Sequence, residues 1–333
     1  MGIKNLLKFL SNFEGIIQNK EVKDFSGKRI AIDISILIYQ VVIAIRNSGS
    51  DLTNSNGEIT SHILGLFNKT IYFLENGIIP IYVFDGKPNI LKQKIIDLRK
   101  QIRSKALEKL NDENTTEEEK IKYFKRSVFI SKEQILQCKE LLDLMGIPYL
   151  EAKEEADSEL AELCKRKIIY AVMTEDMDIL TFGSPKIIRN LTTVKKIPLE
   201  ISLDTVLEKI KLSYEEFIEL CILFGCDYCT GLTDISTMEI YKSYLNTKSI
   251  DKTLEELKLK NYTVPEINYK NVKEYFLKKS DLEFKDEYNL RKPDNKKLIN
   301  ILIFKYGLIK NKVINKVRKL NHLYNIFTYS IST

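Results

Sequence analysis

Apolar residues run along this chain in two rhythms: short unbroken blocks, and longer stripes that repeat every three to four positions. The block IIPIYVF (78–84) reads as a strand, and IIYAVM (168–173) as one buried on both faces; KIIRN (186–190) is strand-like. KRIAIDISILIY (28–39) begins as a buried strand, and Asp33 interrupts its apolar run. The stripes predict helices over 61–76, ending on Asn76-Gly77, and over 91–110, carried by Leu91, Ile95, Leu98 and Ile102. Another spans 155–165. Capping boxes at Ser131–Gln134 and Ser213–Glu216 start two more helices, which Gly146 and Gly225 stop. A polar break at 111–116 separates the 91–110 helix from a second charged helix. Beyond about residue 232 the chain reads as short Lys-rich helices joined by polar loops. In the last of them Val313, Val317 and Leu320 share one face and Lys312, Lys316 and Lys319 another. That lysine face is either a grip for a polyanion or an ordinary solvated surface.

Acids follow where these elements stop. Asp33 lies within the first strand block, Asp85 follows the second, and Asp176 and Asp178 come just after Thr174. Asp227 comes directly after the glycine that ends a helix, and Glu155 and Asp157 open the 155–165 helix, where the dipole favours negative charge. In open α/β sheets the ligand crevice lies beyond the carboxyl ends of the strands. Carboxylates converging there repel one another unless a cation neutralises them, and hard divalent ions take oxygen ligands. The plainer alternative is that these acids decorate a helix start and a surface loop. Asp33, costly if buried alone, either caps a local turn or faces a metal. Lys92, Arg99 and Arg103 fall within about 40° of one another on a helix of 3.6 residues per turn, as a solvated basic face or as a phosphate clamp.

Composition narrows the classes. The chain has 333 residues, enough for one large domain or two smaller ones. Its 44% hydrophobic and 29% charged content is that of a soluble globular protein, and the net charge of +6 mildly favours polyanions. No apolar run approaches the roughly 18 residues of a membrane span, no signal-peptide pattern is present, and Leu6 stands where myristoylation wants Ser or Thr. Five cysteines, an odd number in mostly apolar surroundings, point to reduced thiols. Cys226-x-x-Cys229 is a lone pair and the only histidines are His62 and His322, which argues against a zinc site and a His-based nucleophile.

The segments MGIKNL, IAIDISILIYQ, GEITSHILGLFNKTIYFLENGIIPIYVFDGKP, LMGIPYLEAKEEAD, YAVMTEDMDILTFGSP and LCILFGCDYC resemble the flap endonuclease family of 5′ nucleases. They occur in family order from residue 1 to about 229, and the match weakens from 230 onward. The resemblance implies an α/β, PIN-like 5′ nuclease fold: a mostly parallel central sheet with flanking helices, a helical arch insertion and a C-terminal helical DNA-binding module. It divides the chain into an N-terminal nuclease region (1–105) with the arch at 89–130, an internal nuclease region (131–229), and duplex-binding and C-terminal helices (230–333). It assigns Asp33, Asp85, Glu155, Asp157, Asp176, Asp178 and Asp227 as ligands of two Mg²⁺ ions, with Mn²⁺ as a substitute. Asp157 replaces the family's Glu. Lys92 and Arg99 match the arch's basic pair at the scissile phosphate. Gly2, Tyr39, Arg46, Lys69, Glu155, Gly225 and Asp227 match positions beside the substrate.

The implied activity is structure-specific endonucleolytic and 5′–3′ exonucleolytic hydrolysis at 5′ flaps and nicks in DNA replication and repair, by two-metal catalysis. A silent DNA-binding scaffold, or a relative preferring exonucleolysis or other junctions, is the alternative. Two departures stand out. The family's glycine-rich hairpin, which binds K⁺ and duplex phosphates, is replaced by Thr233-Asp234-Ile235-Ser236-Thr237. The chain ends FTYSIST, without a peptide for docking a sliding clamp. A monomer with no membrane association is expected, in the nucleus by resemblance or in a cytoplasmic viral replication site.

Overall fold

The computed structural model describes residues 2–329 apart from 48–49, 113, 193–195, 266, 281–282 and 284–287. The last four residues of FTYSIST therefore lie outside the described residues. Seven strands are formed: β1 (Ile17–Asn19), β2 (Arg29–Asp33), β3 (Ile79–Phe84), β4 (Tyr149–Glu151), β5 (Ala171–Met173), β6 (Lys186–Arg189) and β7 (Leu199–Ser202). They divide between two compact units, each drawn from three separate stretches of sequence.

The first unit comprises Met1–Asp24, Asp85–Ile95 and Ala152–Phe284. Its strands run in the order β1-β7-β6-β5. β5 and β6 are parallel (Val172↔Ile187), whereas β6–β7 and β7–β1 are antiparallel. Ala171, Val172, Ile187, Ile188 and Ile201 are fully buried, as expected where helices cover both faces of a sheet. The strand expected over 168–173 is only three residues long. Lys167 takes a left-handed φ of 59°, and residues 166–170 form a turn that carries the chain out of the Ala156–Lys165 helix.

The second unit comprises Phe25–Phe84, Ile96–Glu151 and Lys285–Thr333. β2, β3 and β4 are all parallel, with Ala31 opposite Ile81 and Tyr82 opposite Tyr149. The Ser61–Glu75 helix turns its apolar face inward and stops where Gly77 adopts φ +77°. The Lys310–Tyr329 helix buries Val313, Val317 and Leu320, the stripe its spacing predicts. On its lysine face Lys312 and Lys319 are exposed, Lys319 pairing with Glu75 at 2.6 Å, and the half-buried Lys316 ammonium donates to the Asn68 side chain. In the Gln93–Leu110 helix Leu98 and Ile102 stay about half exposed, and only Ala106 is buried. The following helix, Glu117–Arg126, starts from a capping box on Thr116.

Gly146 ends the Lys132–Met145 helix at φ +72°, and its carbonyl accepts from the Arg291 amide at 2.7 Å. A Cβ there would lie 1.9 Å from the Arg291 carbonyl oxygen. Gly146→Ala therefore combines left-handed strain with a clash against backbone. It is expected to cost about 2 kcal/mol or more, read as a lowered urea midpoint; a parental midpoint would contradict this packing.

Candidate active site

The first unit gathers six of the seven sequence-assigned carboxylates and Lys92. Two of them come from the turn after β5. The Thr174 hydroxyl accepts from the Asp176 amide at 2.9 Å, and the Asp176 carboxylate accepts from the Asp178 amide at 3.0 Å. These local bonds coil the loop so that Asp178 begins the short Asp178–Thr181 helix with its side chain wholly buried. Neither Asp178 oxygen has a hydrogen-bond partner. Burial, then the charges of Asp176, Asp157 and Asp227, push its carboxyl well above the usual range; Lys92 offsets only part of this. Burial also raises Asp176, with Asp227 adding to it.

Glu155 and Asp157 open the Ala156–Lys165 helix and are likewise buried. Asp85 fastens that helix by accepting from the Ala156 amide at 3.0 Å. Gly86 makes this approach possible: its amide donates to the Glu154 carbonyl at 2.6 Å, and a Cβ would meet the Ala152 carbonyl oxygen at 2.1 Å. Lys92, in the short turn before the Gln93–Leu110 helix, places its ammonium 2.9 Å from Glu155 Oε2 and 4.0 Å from Asp227 Oδ2. Burial alone would lower its pKa, but Asp157, Glu155 and Asp227 outweigh that and hold it raised and charged.

The chain's start closes on the same acids. Gly2 sits at φ +80° with the space for its missing Cβ only 1.8 Å from Asp176 Oδ1 and 3.0 Å from Asp178 Oδ1. The Lys4 amide donates to the Gly225 carbonyl at 2.8 Å and its ammonium to the Thr230 carbonyl at 2.7 Å, fixing the loop that carries Asp227. Within that loop Cys226 and Cys229 are free thiols 3.6 Å apart.

The remaining sequence-assigned residues belong to the second unit. Asp33 ends β2 and accepts from the Ile36 amide at 3.1 Å, capping the Ile34–Arg46 helix. Tyr39 is half exposed on that helix. Arg46 is buried: it grips Asp51 through Nε and Nη2 at 3.0 and 2.8 Å, donates to the Phe124 carbonyl, and lies 4.1 Å over the Phe124 ring. Lys69 lies 5.2 Å over the Tyr72 ring, its pKa lowered by burial. Arg99 lies on the Gln93–Leu110 helix, where Arg103 stacks on Phe129.

One contributor carried no assignment from sequence. The Tyr228 hydroxyl donates to Glu155 Oε2 at 2.5 Å, and its ring packs against Tyr275 and Phe276. Only the aromatic beside Asp227 and the Tyr-Phe pair in a later helix hinted at it.

Among the described residues no three acids already surround a common point as a finished cage. The donor chemistry nonetheless fits a hard divalent cation. Three buried carboxylate oxygens, both of Asp178 and Oε1 of Glu155, lack any hydrogen bond, and such atoms are costly to leave unpaired.

The sequence matches the XPG N-terminal domain over residues 1–106 and the XPG I-region over 146–227. Flap endonuclease 1 of Nematostella vectensis is 42% identical over 331 residues, covering 96% of this chain and 87% of that protein. The chain belongs to the flap endonuclease family. The bovine relative of the same name is 38% identical over 96% of the chain and 87% of its own length. The solved flap endonuclease-1 of Methanococcus jannaschii superposes with a TM-score of 0.72 at 34% identity, covering 93% of this chain and 96% of that one. The catalytic core of Rad2 in complex with DNA substrate shares the fold at a TM-score of 0.74 and 23% identity, over 96% of this chain and all of that one.

For this family member the buried charge gives a test that needs no DNA. Asp178→Asn removes a repelled carboxylate, so in EDTA the variant is expected to melt several degrees above the parent at pH 8. The sign follows from the raised carboxyl: in the folded protein it favours the protonated form, so its ionisation opposes folding once pH exceeds the unfolded value. The gap should shrink towards pH 4. Divalent-cation stabilisation, present in the parent, should be lost in the variant. A variant that melts below the parent at pH 8 would contradict the repulsion.

Proposed function

We propose that the Asp178 cluster holds the metal ions of a structure-specific 5′ nuclease that hydrolyses phosphodiester bonds at 5′ flaps and nicks. The chain is a nuclease, and its substrate is DNA; metal dependence is general to its family. The observation carrying the assignment is the unpartnered, fully buried Asp178 carboxylate among Asp157, Asp176 and Asp227. Asp85, Glu155, Asp157, Asp176, Asp178 and Asp227, all in the first unit, are the residues we assign to two Mg²⁺ ions, with Mn²⁺ able to substitute. When bound, such ions activate water and stabilise the leaving oxygen.

The protein's own groups do the rest. Lys92 stays cationic and, when substrate enters, exchanges carboxylate partners for the phosphate on which charge develops. Arg99 is assigned to offer a fork-shaped donor to a substrate phosphate. Gly2 lets backbone lie against Asp176 and Asp178 and so seals them from bulk water. Tyr39, Lys69 and the Gly225–Asp227 loop are assigned to the substrate strand. Arg46, held by Asp51 and Phe124, is likewise assigned to the substrate. Contacts of this kind position phosphates without reading bases, so cleavage follows DNA shape. No helix among the described residues is long and apolar enough to cross a membrane, and the nucleus is the compartment we assign.

Lys92→Ala should slow single-turnover cleavage of a labelled 5′-flap duplex in Mg²⁺ by at least about tenfold, since a transition-state charge contact is worth several kcal/mol in comparable sites. Binding measured in EDTA should change little. A rate within twofold of the parent would mean that Lys92 serves only to neutralise the acids.

A further inference from the structure

We propose that Tyr228 is a positioning residue for the nuclease reaction: together with Lys92 it occupies one oxygen of Glu155 and so reserves the other for a divalent cation. This role rests on the metal-site reading above. The two oxygens of Glu155 are treated unequally. Oε2 accepts from the Tyr228 hydroxyl at 2.5 Å and from the Lys92 ammonium at 2.9 Å. Oε1 is buried with no partner. Charge-assisted bonds to a carboxylate are short and directional, so two converging on one oxygen fix the rotation of the whole carboxylate.

The Tyr228 ring is itself held. Tyr275 meets it at 5.1 Å and 63°, and Phe276 at 5.4 Å and 86°, both edge-on arrangements. The same two rings pack on Phe182 at 5.5 and 5.1 Å, and Phe182 caps the short helix that Asp178 begins. The Lys92 ammonium lies 5.5 Å over the Tyr228 ring. The Tyr269–Leu277 helix, drawn from the region that sequence assigns to gripping duplex, thus braces the acid cluster through an aromatic stack.

Tyr228→Phe removes the hydroxyl and keeps the stack, so its melting temperature should stay within a few degrees of the parent. Mn²⁺ titrated into DNA-free protein by calorimetry is expected to bind about tenfold more weakly, in line with the loss of a partner that orients a metal ligand. Single-turnover cleavage should fall by a similar factor at limiting Mg²⁺ and recover as Mg²⁺ rises. Flap-DNA affinity in EDTA should be unchanged. Phe276→Leu, which loosens the ring without touching its hydroxyl, should weaken Mn²⁺ binding by a smaller factor. Parental Mn²⁺ affinity and Mg²⁺ dependence in Tyr228→Phe would overturn the role. A parent that binds no Mn²⁺ would instead overturn the metal-site reading beneath it.

Discussion

The site depends on one electrostatic conflict. Asp178 is fully buried, both of its oxygens lack partners, and three further carboxylates act on it with the same sign. Taking an isolated charge out of water costs several kcal/mol even after relaxation. One lysine within reach cannot compensate for all of them. A protein tolerates such an arrangement when a cation of high charge density completes it, or when a proton stands in meanwhile. Burial and those like charges raise the Asp178 carboxyl well above the usual range.

Much of the surrounding architecture serves to hold that conflict in place. Gly2 is small enough to lie on Asp176 and Asp178 where any Cβ would collide. Gly86 brings the backbone after Asp85 against residues 152–154, so that Asp85 can cap the helix carrying Asp157. Lys4 pins the Gly225–Thr230 loop, and Tyr228 returns from that loop to Glu155. Each is a close approach between segments far apart in sequence. Each uses a missing side chain or directed hydrogen bonds.

What was legible in the sequence follows from this. Short apolar blocks identify β2, β3, β5 and β6 because strands covered on both faces admit few polar residues. The acids after Thr174 and around Glu155 stand out because their placement repeats. The extent of β5 was less legible, since Ile168, Ile169 and Tyr170 are as apolar as the strand while the backbone there is already turning. That the last helix has a cationic face was legible, but not that Lys316 would reach Asn68 or Lys319 Glu75 on another helix. Periodicity cannot see a partner on another element. Tyr228 escaped for the same reason: its meaning lies in Glu155, Tyr275 and Phe276, none of them near in sequence. The 233–237 stretch lacks the family's glycines, and Ser236 serves there as the cap of the Thr237–Thr247 helix.

The central expectation is that a divalent cation entering the Asp178 cluster competes with protons, because burial and like charge raise that carboxyl. It is tested most directly by counting protons released when Mn²⁺ binds the DNA-free protein, from calorimetric titrations in two buffers of different ionisation enthalpy. Proton release on binding is expected, falling as pH is raised from mildly acidic to alkaline, because a ligand must deprotonate to coordinate. Binding with no proton release across that range would contradict it.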